Sequence, residues 1–523
     1  MGMNLGKTIG LGVVVAGTLL VTVGLSLPAN AKAPEAPLSC ASPSNEIEAE
    51  NCLPGNPPSE WDLPNVDSYG AGDPSIQGFA TDISVDQGAT IQFKVKTDAT
   101  SYQIDIFRIG YYGGNGARKV ATILPSATLP QTQPACLTDP GTGLIDCGNW
   151  AVSASWTVPV TSTSGIYLAR LFRPDISGGA GGVSHILFIV RDDNGNSDLL
   201  FQTSDTTWHA INNYGGSSLY ENGPGTNPTR AYKVSYNRPL LSRGVYGGQD
   251  NFFAAEYPMV RWLERNGYDV SYFSGVDTDR YGSFLLTHQV FMSVGHDEFW
   301  SKNQRANVEA ARAAGVHLAF FSGNEIFWKT RFEPSIDGTL TSHRTLVSYK
   351  ETHNGAKIDP SSEWTGTWRD PRFSPPADGG RPENALSGQI YTVNCCSYAI
   401  KVPEADGKLR FWRNTSVAAL SPGDVATLSD GTLGMHWNEP LVNGSQPPGL
   451  VRMSSTTESA PLYLLDYGST YGPGTGTHAL TLYRHSSGAL VFGAGTVQWS
   501  WGLDNVHDRV PSAQDVNMQQ ATV

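Results

Sequence analysis

Val290-Phe-Met-Ser-Val-Gly-His-Asp-Glu-Phe-Trp-Ser301 (VFMSVGHDEFWS) joins an apolar run to a polar cluster through one glycine. Val290 to Val294 reads as a buried strand, since a short apolar run stops at a turn residue. His296, Asp297 and Glu298 follow at once, then the aromatics Phe299 and Trp300. Downstream, Ser301 is placed to cap a polar helix over 301–315, and Val316 to Phe321 reads as the next strand. Upstream, 252–266 (FFAAEYPMVRWLERN) has helical spacing with Gly267 as its stop, and Tyr268 to Phe273 reads as a strand. Leu199 to Gln202 is a short apolar strand ahead of both. Strand, helix, strand, strand, helix, strand predicts a parallel α/β unit. Ala489 to Val497 reads as a late strand returning to the same sheet.

An open α/β sheet binds ligands beyond the carboxyl ends of its strands. Ser204, Asp205, Trp208 and His209 follow the 199–202 strand, and Asp277 follows 268–273. His296, Asp297 and Glu298 follow 290–294; Asn324, Glu325, Phe327 and Trp328 follow 316–321. Histidine is a metal ligand or base near neutral pH. A carboxylate in an aromatic mouth gains a cation or has its pKa raised, and Asn324 can donate to a developing oxyanion. At one strand end the plainer reading holds: His296 and Asp297 cap the next helix while Glu298 and Glu325 are solvated. Polar groups converging at four ends instead predict a functional site. No H-E-x-x-H or G-x-S-x-G occurs, which argues against a zincin and an α/β-hydrolase serine. Trp499-Ser-Trp501 reads more readily as core than as a sugar platform.

Outside this unit the rhythm changes. From 76 to 196, two-residue alternation broken by turns, as in Thr90 to Lys96 with Ile91, Phe93 and Val95 on one face, predicts an antiparallel immunoglobulin-like β-sandwich. Residues 32–75 read as a linker or arm, and 340–440 as an irregular Trp-rich insertion within an α/β domain spanning 197–523. At the amino terminus, Lys7, an apolar run from Ile9 to about Leu27 and Ala29-Asn30-Ala31 read as a secretory signal over 1–31. A secreted chain that does not span the membrane in its mature form is expected. Its six cysteines fit an oxidising compartment, with Cys40/Cys52 and Cys136/Cys147 each able to close a short loop, and Cys395-Cys396 adjacent. With 523 residues, more than one domain is expected. A formal charge of −13 without a basic block argues against nucleic acid as partner.

SDTTWHAINNYGGSSLY, RWLERNGYDVSYFS, SVGHDEFWS, GNEIFW, TWRDPRF and GAGTVQWSWGLD together resemble the N,N-dimethylformamidase large-subunit family over roughly 197–510, closest to secreted actinobacterial-type relatives. GFATDIS and FRIGYYGGNGARKV resemble the sandwich that precedes it. The resemblance implies an α/β domain similar to class I glutamine amidotransferase folds. It also implies a mononuclear iron held by two tyrosines and a glutamate. Carried over by motif, Glu298 and Tyr220 are implied ligands, and His296 and Asn324 line the site. The 208–214 segment offers Trp208 and His209, and no tyrosine before Tyr214, where a second tyrosine would fall, with His209 or Tyr214 as substitute ligand. His436 stands where relatives carry a glutamate, and is a candidate catalytic group beside His296 and Asn324. Trp208, Glu325 and Trp328 are candidate substrate contacts. Two functions compete. One is a secreted metal-dependent hydrolase of a small amide, with one iron ion. The other is a non-catalytic or degenerate surface protein that binds envelope glycan. Either is compatible with a homo-oligomer.

Overall fold

The computed structural model describes residues 38–64, 72–178, 181–226, 228–247, 251–372 and 380–523. The expected signal over 1–31 lies outside them. Among the described residues no helix is long and apolar enough to cross a membrane. Three disulfides are present: Cys40–Cys52, Cys136–Cys147 and the adjacent Cys395–Cys396.

Val290–Gly295 of the quoted stretch is the third strand of a seven-stranded sheet, and Phe299–Ser301 pairs with Trp328–Glu333 in another. The seven-stranded order is Val270–Phe273, Leu199–Gln202, Val290–Gly295, His317–Ser322, Leu490–Gly493, Thr481–Arg484, Val451–Arg452. The first five run parallel, Thr481–Arg484 turns back antiparallel to Leu490–Gly493, and Val451–Arg452 reverses again beside it. The late strand therefore does return to the sheet, with Leu318 opposite Val491. Gln202 pairs with Ser293, and Gly295 with Ser322. This register brings the residues after each strand to one edge.

Ser301 caps the helix Lys302–Ala314 in a reciprocal box with Gln304, and Gly315 closes it at φ 105°. The helix expected over 252–266 is two, Phe252–Ala255 and Tyr257–Arg265, meeting at Glu256. Pro258 is the reason: it has no N–H to continue the first helix's ladder.

Toward the amino terminus, two sheets share one apolar core. One holds Ile76–Ala80, Thr90–Thr97 and Ala154–Thr157; the other holds Ser84–Asp86, Val183–Arg191, Gly165–Phe172, Gln103–Ile109 and Ala117–Ile123. Ile91, Phe93 and Val95 face that core as their alternation requires. The pairing is not wholly antiparallel, because Ser84–Asp86 runs parallel to Val183–Arg191. The chain has crossed from the first sheet and enters the second in that direction.

This layer is pinned to the α/β unit by a buried bidentate pair. Arg108 Nη1 and Nη2 donate to Glu264 at 2.8 and 2.9 Å. Tyr272 Oη and Asn51 Nδ2 fill the remaining lone pairs of that carboxylate. Asn51 ends the short helix Glu46–Asn51, in the segment expected as an arm. The Trp-rich insertion also contains regular structure. Ile390–Val393 and Trp437–Glu439 join Thr456–Leu464 and Tyr471–His478 in a four-stranded antiparallel sheet. Trp499 and Trp501 are core residues.

Candidate metal centre

Gly295 ends its strand at φ 80°, and a Cβ there would lie 3.0 Å from Ala255 and Glu256 side-chain atoms. Glycine is thus required both by backbone and by packing. The turn it makes delivers His296 and Glu298 to the sheet edge. After the neighbouring strand, Asn324 and Ile326 take left-handed φ values of 55° and 61°, and Gly323 N donates to Gly295 O at 3.1 Å. Asn324 is held further by its own N–H, which donates to Asn438 Oδ1 at 3.0 Å. The third group, His436, comes from the loop before Trp437–Glu439. Thr496 Oγ1 accepts from Gly434 N, and Val497 N donates to His436 O. The GAGTVQWSW segment therefore shapes the loop that presents His436.

These side chains meet. Glu298 Oε2 lies 3.1 Å from His296 Nε2 and accepts from Asn324 Nδ2 at 2.6 Å. His296 Nε2 is 3.0 Å from His436 Nδ1. One nitrogen from each histidine and one oxygen of Glu298 all fall within 4.8 Å of one another. Among the described residues, Glu298 Oε1 and Asn324 Oδ1 are buried without hydrogen-bond partners. Burial pushes the Glu298 carboxyl up to about 7, against the opposing pull of Lys350 and the Asn324 bond. Two imidazoles and a carboxylate with an unsatisfied oxygen are the donor set of a first-row divalent ion, and the residues fit one.

The cluster opens on a cavity of about 180 Å³. Glu298, Asn324 and His436 form one wall, and Tyr220, Trp328, Tyr391 and Tyr471 stand around it. Lys350 also lines it, its Nζ 3.3 Å from the centre of the Tyr220 ring. Burial drives the Lys350 amine well below its ordinary range, and Glu298 opposes that shift. His353 is pushed down to about 3 by burial, then by the Lys350 and Arg230 charges, so it is neutral. Tyr391 Oη lies 3.5 Å from Tyr471 Oη. Burial raises both phenols, Tyr391 strongly and Tyr471 to about 12.

Of the residues singled out from sequence, His296, Glu298, Asn324 and His436 come together, and Tyr220 and Trp328 line the same cavity. The others lie elsewhere. Trp208 Nε1 donates to Glu256 Oε2 at 2.7 Å, outside this cavity. The His209 ring stacks on Tyr236 with centroids 3.9 Å apart, and burial holds it neutral. Both sit on the helix Asp205–Ile211, which turns these faces into the core. Glu325 accepts from Asn438 Nδ2 at 2.8 Å, and burial raises its carboxyl to about 8. Asp297 accepts from Gln202 and Ser293, and burial lifts it to about 7. Lys350, His353, Tyr391 and Tyr471 were not foreseen. They come from segments without periodicity, and folding alone brings them to the sheet edge.

A family profile described as N,N-dimethylformamidase beta subunit-like, C-terminal, matches residues 103–512, beginning well ahead of residue 197. No curated protein matches the chain. Among solved structures, domain 1 of VCBP3 from Branchiostoma floridae aligns at 12% identity, covering 24% of this chain and 98% of that one, with a TM-score of 0.15. A family 123 glycoside hydrolase from Clostridium perfringens, solved to detail glycolipid glycan hydrolysis, aligns at 8% identity over 46% of this chain and 68% of that one, with a TM-score of 0.09. Such scores support no argument from either structure.

Proposed function

Because the chain belongs to the N,N-dimethylformamidase beta subunit-like family, we propose that it is a metal-dependent hydrolase of small amides. The observation that carries this reading is the meeting of His296, Glu298 and His436 at the mouth of an aromatic-walled cavity. These three residues would hold one mononuclear ion, which we take as iron because the family resemblance implies it, and a two-imidazole, one-carboxylate set accommodates ferrous ion. When bound, such an ion supplies Lewis acidity for a carbonyl and lowers the pKa of water.

The chain's own residues do the rest. Asn324 fixes Glu298 through its Nδ2, while its Oδ1, which has no donor among the described residues, can accept an amide N–H of the substrate. Tyr220, Trp328, Tyr391 and Tyr471 exclude bulk water, which strengthens every polar contact inside. Tyr391 and Tyr471 keep their protons and serve as hydrogen-bond donors at the rim. We read the parallel strands as similar to class I glutamine amidotransferase folds, and the paired sheets as an immunoglobulin-like sandwich. The apolar run near the amino terminus and the disulfides support secretion.

The test is amine release from a panel of small primary and secondary amides. Protein stripped with a chelator and reloaded with ferrous ion should hydrolyse at least one of them, and Glu298→Ala reloaded in the same way should hydrolyse none. Equal turnover by the two proteins would refute the assignment.

A further inference from the structure

Lys350 precedes the short helix Glu351–Asn354 in left-handed backbone, φ 46°. It is 2% exposed and lines the cavity. Its Nζ lies 3.3 Å from the Tyr220 ring centre, 4.7 Å from that of Trp328 and 5.3 Å from that of Phe299. Aromatic faces attract a cation, but an ammonium has three donors that call for oxygen. Among the described residues, Nζ donates no hydrogen bond and closes no ion pair.

The other charges on the wall are few. Glu298 is the one acidic residue lining the cavity among the described residues, and His296 and Asn324 already engage it. Arg230 adds a second cation, its guanidinium donating to the carbonyls of Thr226, Pro228, Tyr349 and Lys350 and to Asn354 Oδ1. Two basic groups thus face one carboxylate, whose Oε2 is already engaged by His296 and Asn324. The cavity, about 180 Å³, is smaller than the roughly 300–1,000 Å³ of drug-sized sites.

We propose that Lys350 marks a carboxylate subsite, and that the substrate is a small amide bearing a free carboxylate, of the N-acyl amino acid class. This deepens the amide-hydrolase reading and rests on it. A carboxylate beside Nζ would form a charge-assisted hydrogen bond in a water-poor wall, where such bonds are short and strong. A neutral ligand would leave the amine buried without an acceptor, which is costly.

N-acetylglycine and its neutral analogue N-acetylglycinamide probe the subsite directly. Titration calorimetry should use chelator-stripped full-length protein, so that no carboxylate binds through a metal. N-acetylglycine should bind about tenfold or more tighter than the amide. Lys350→Met, which keeps an apolar stem among the rings, should bring the two affinities together; Lys350→Gln should do the same if the Met variant folds poorly. Equal binding by the unmodified protein, binding of neither at millimolar concentration, or a preference that survives both substitutions would overturn the proposal. Metal analysis separates this result from the parent reading. Protein that takes up no metal but prefers N-acetylglycine loses the hydrolase reading and keeps the subsite. Metal-loaded protein without the preference keeps the first and loses the second.

Discussion

Replacing Glu298 by Gln should change the pH dependence of stability by an amount set by the site itself. In the metal-free protein, burial lifts the Glu298 carboxyl from its ordinary 4.5 to about 7. In the unfolded chain the proton leaves near the ordinary value. Between these limits the folded state holds a proton that the unfolded state has released, so stability falls as pH rises through the window and is flat on either side. Each pKa unit is worth about 1.4 kcal/mol, so the carboxyl subtracts about 3 kcal/mol from stability above pH 7. Gln is nearly isosteric and does not titrate. Asp297 and Glu325 have raised values of their own, but both variants share them and they cancel in the difference. Urea unfolding of chelator-stripped wild type and Glu298→Gln, followed by tryptophan fluorescence from pH 4 to 8, should show the Gln variant gaining about 3 kcal/mol on the wild type across the window. Metal should close that gap by returning a counter-charge to the wild-type carboxylate. Parallel profiles would refute the claim that Glu298 is a desolvated acid waiting for a cation.

His436→Ala should lower ferrous-ion affinity by at least about a hundredfold in a chelator competition, since it removes a ligand rather than a supporting contact. His209→Ala should leave that affinity unchanged, because its ring lies on Tyr236 outside the cavity. Asn324→Gly should cost roughly 10–100-fold in the same competition through loss of the bond to Glu298. Asn324→Ala should add about 1 kcal/mol of backbone destabilisation at φ 55°, read by urea unfolding. Glu264→Ala should cost about 3–5 kcal/mol by leaving Arg108 buried and unpaired, and replacing both residues by apolar ones should cost less, in a double-mutant cycle of unfolding.

Local chemistry explains what the sequence disclosed. Val290–Gly295 reads as a strand because four apolar side chains and a glycine stop leave little else, and Ser301 with Gln304 states the start of the next helix outright. The parallel order then places His296, Glu298 and Asn324 on one edge without any tertiary knowledge. Glu256 shows the limit on boundaries: periodicity carried the helix through a position where Pro258 breaks its ladder. Trp208 and His209 show another, since the residues after a strand enter a helix whose rotation no pattern specifies, and theirs faces the core. Tyr391 and Tyr471 reach the cavity from two strands of a second sheet, paired through long-range register. Lys350 stands in a left-handed turn in an otherwise unpatterned segment. Only packing brings these groups within reach of Glu298.

Metal content, by inductively coupled plasma mass spectrometry on the purified wild type and on Glu298→Ala, tests the assignment of the site most directly. The wild type should carry about one ion per chain, predominantly iron, and the variant should carry almost none. A wild type that takes up no metal when supplied with ferrous ion, or a variant that retains it in full, would contradict the reading of His296, Glu298 and His436 as a metal centre.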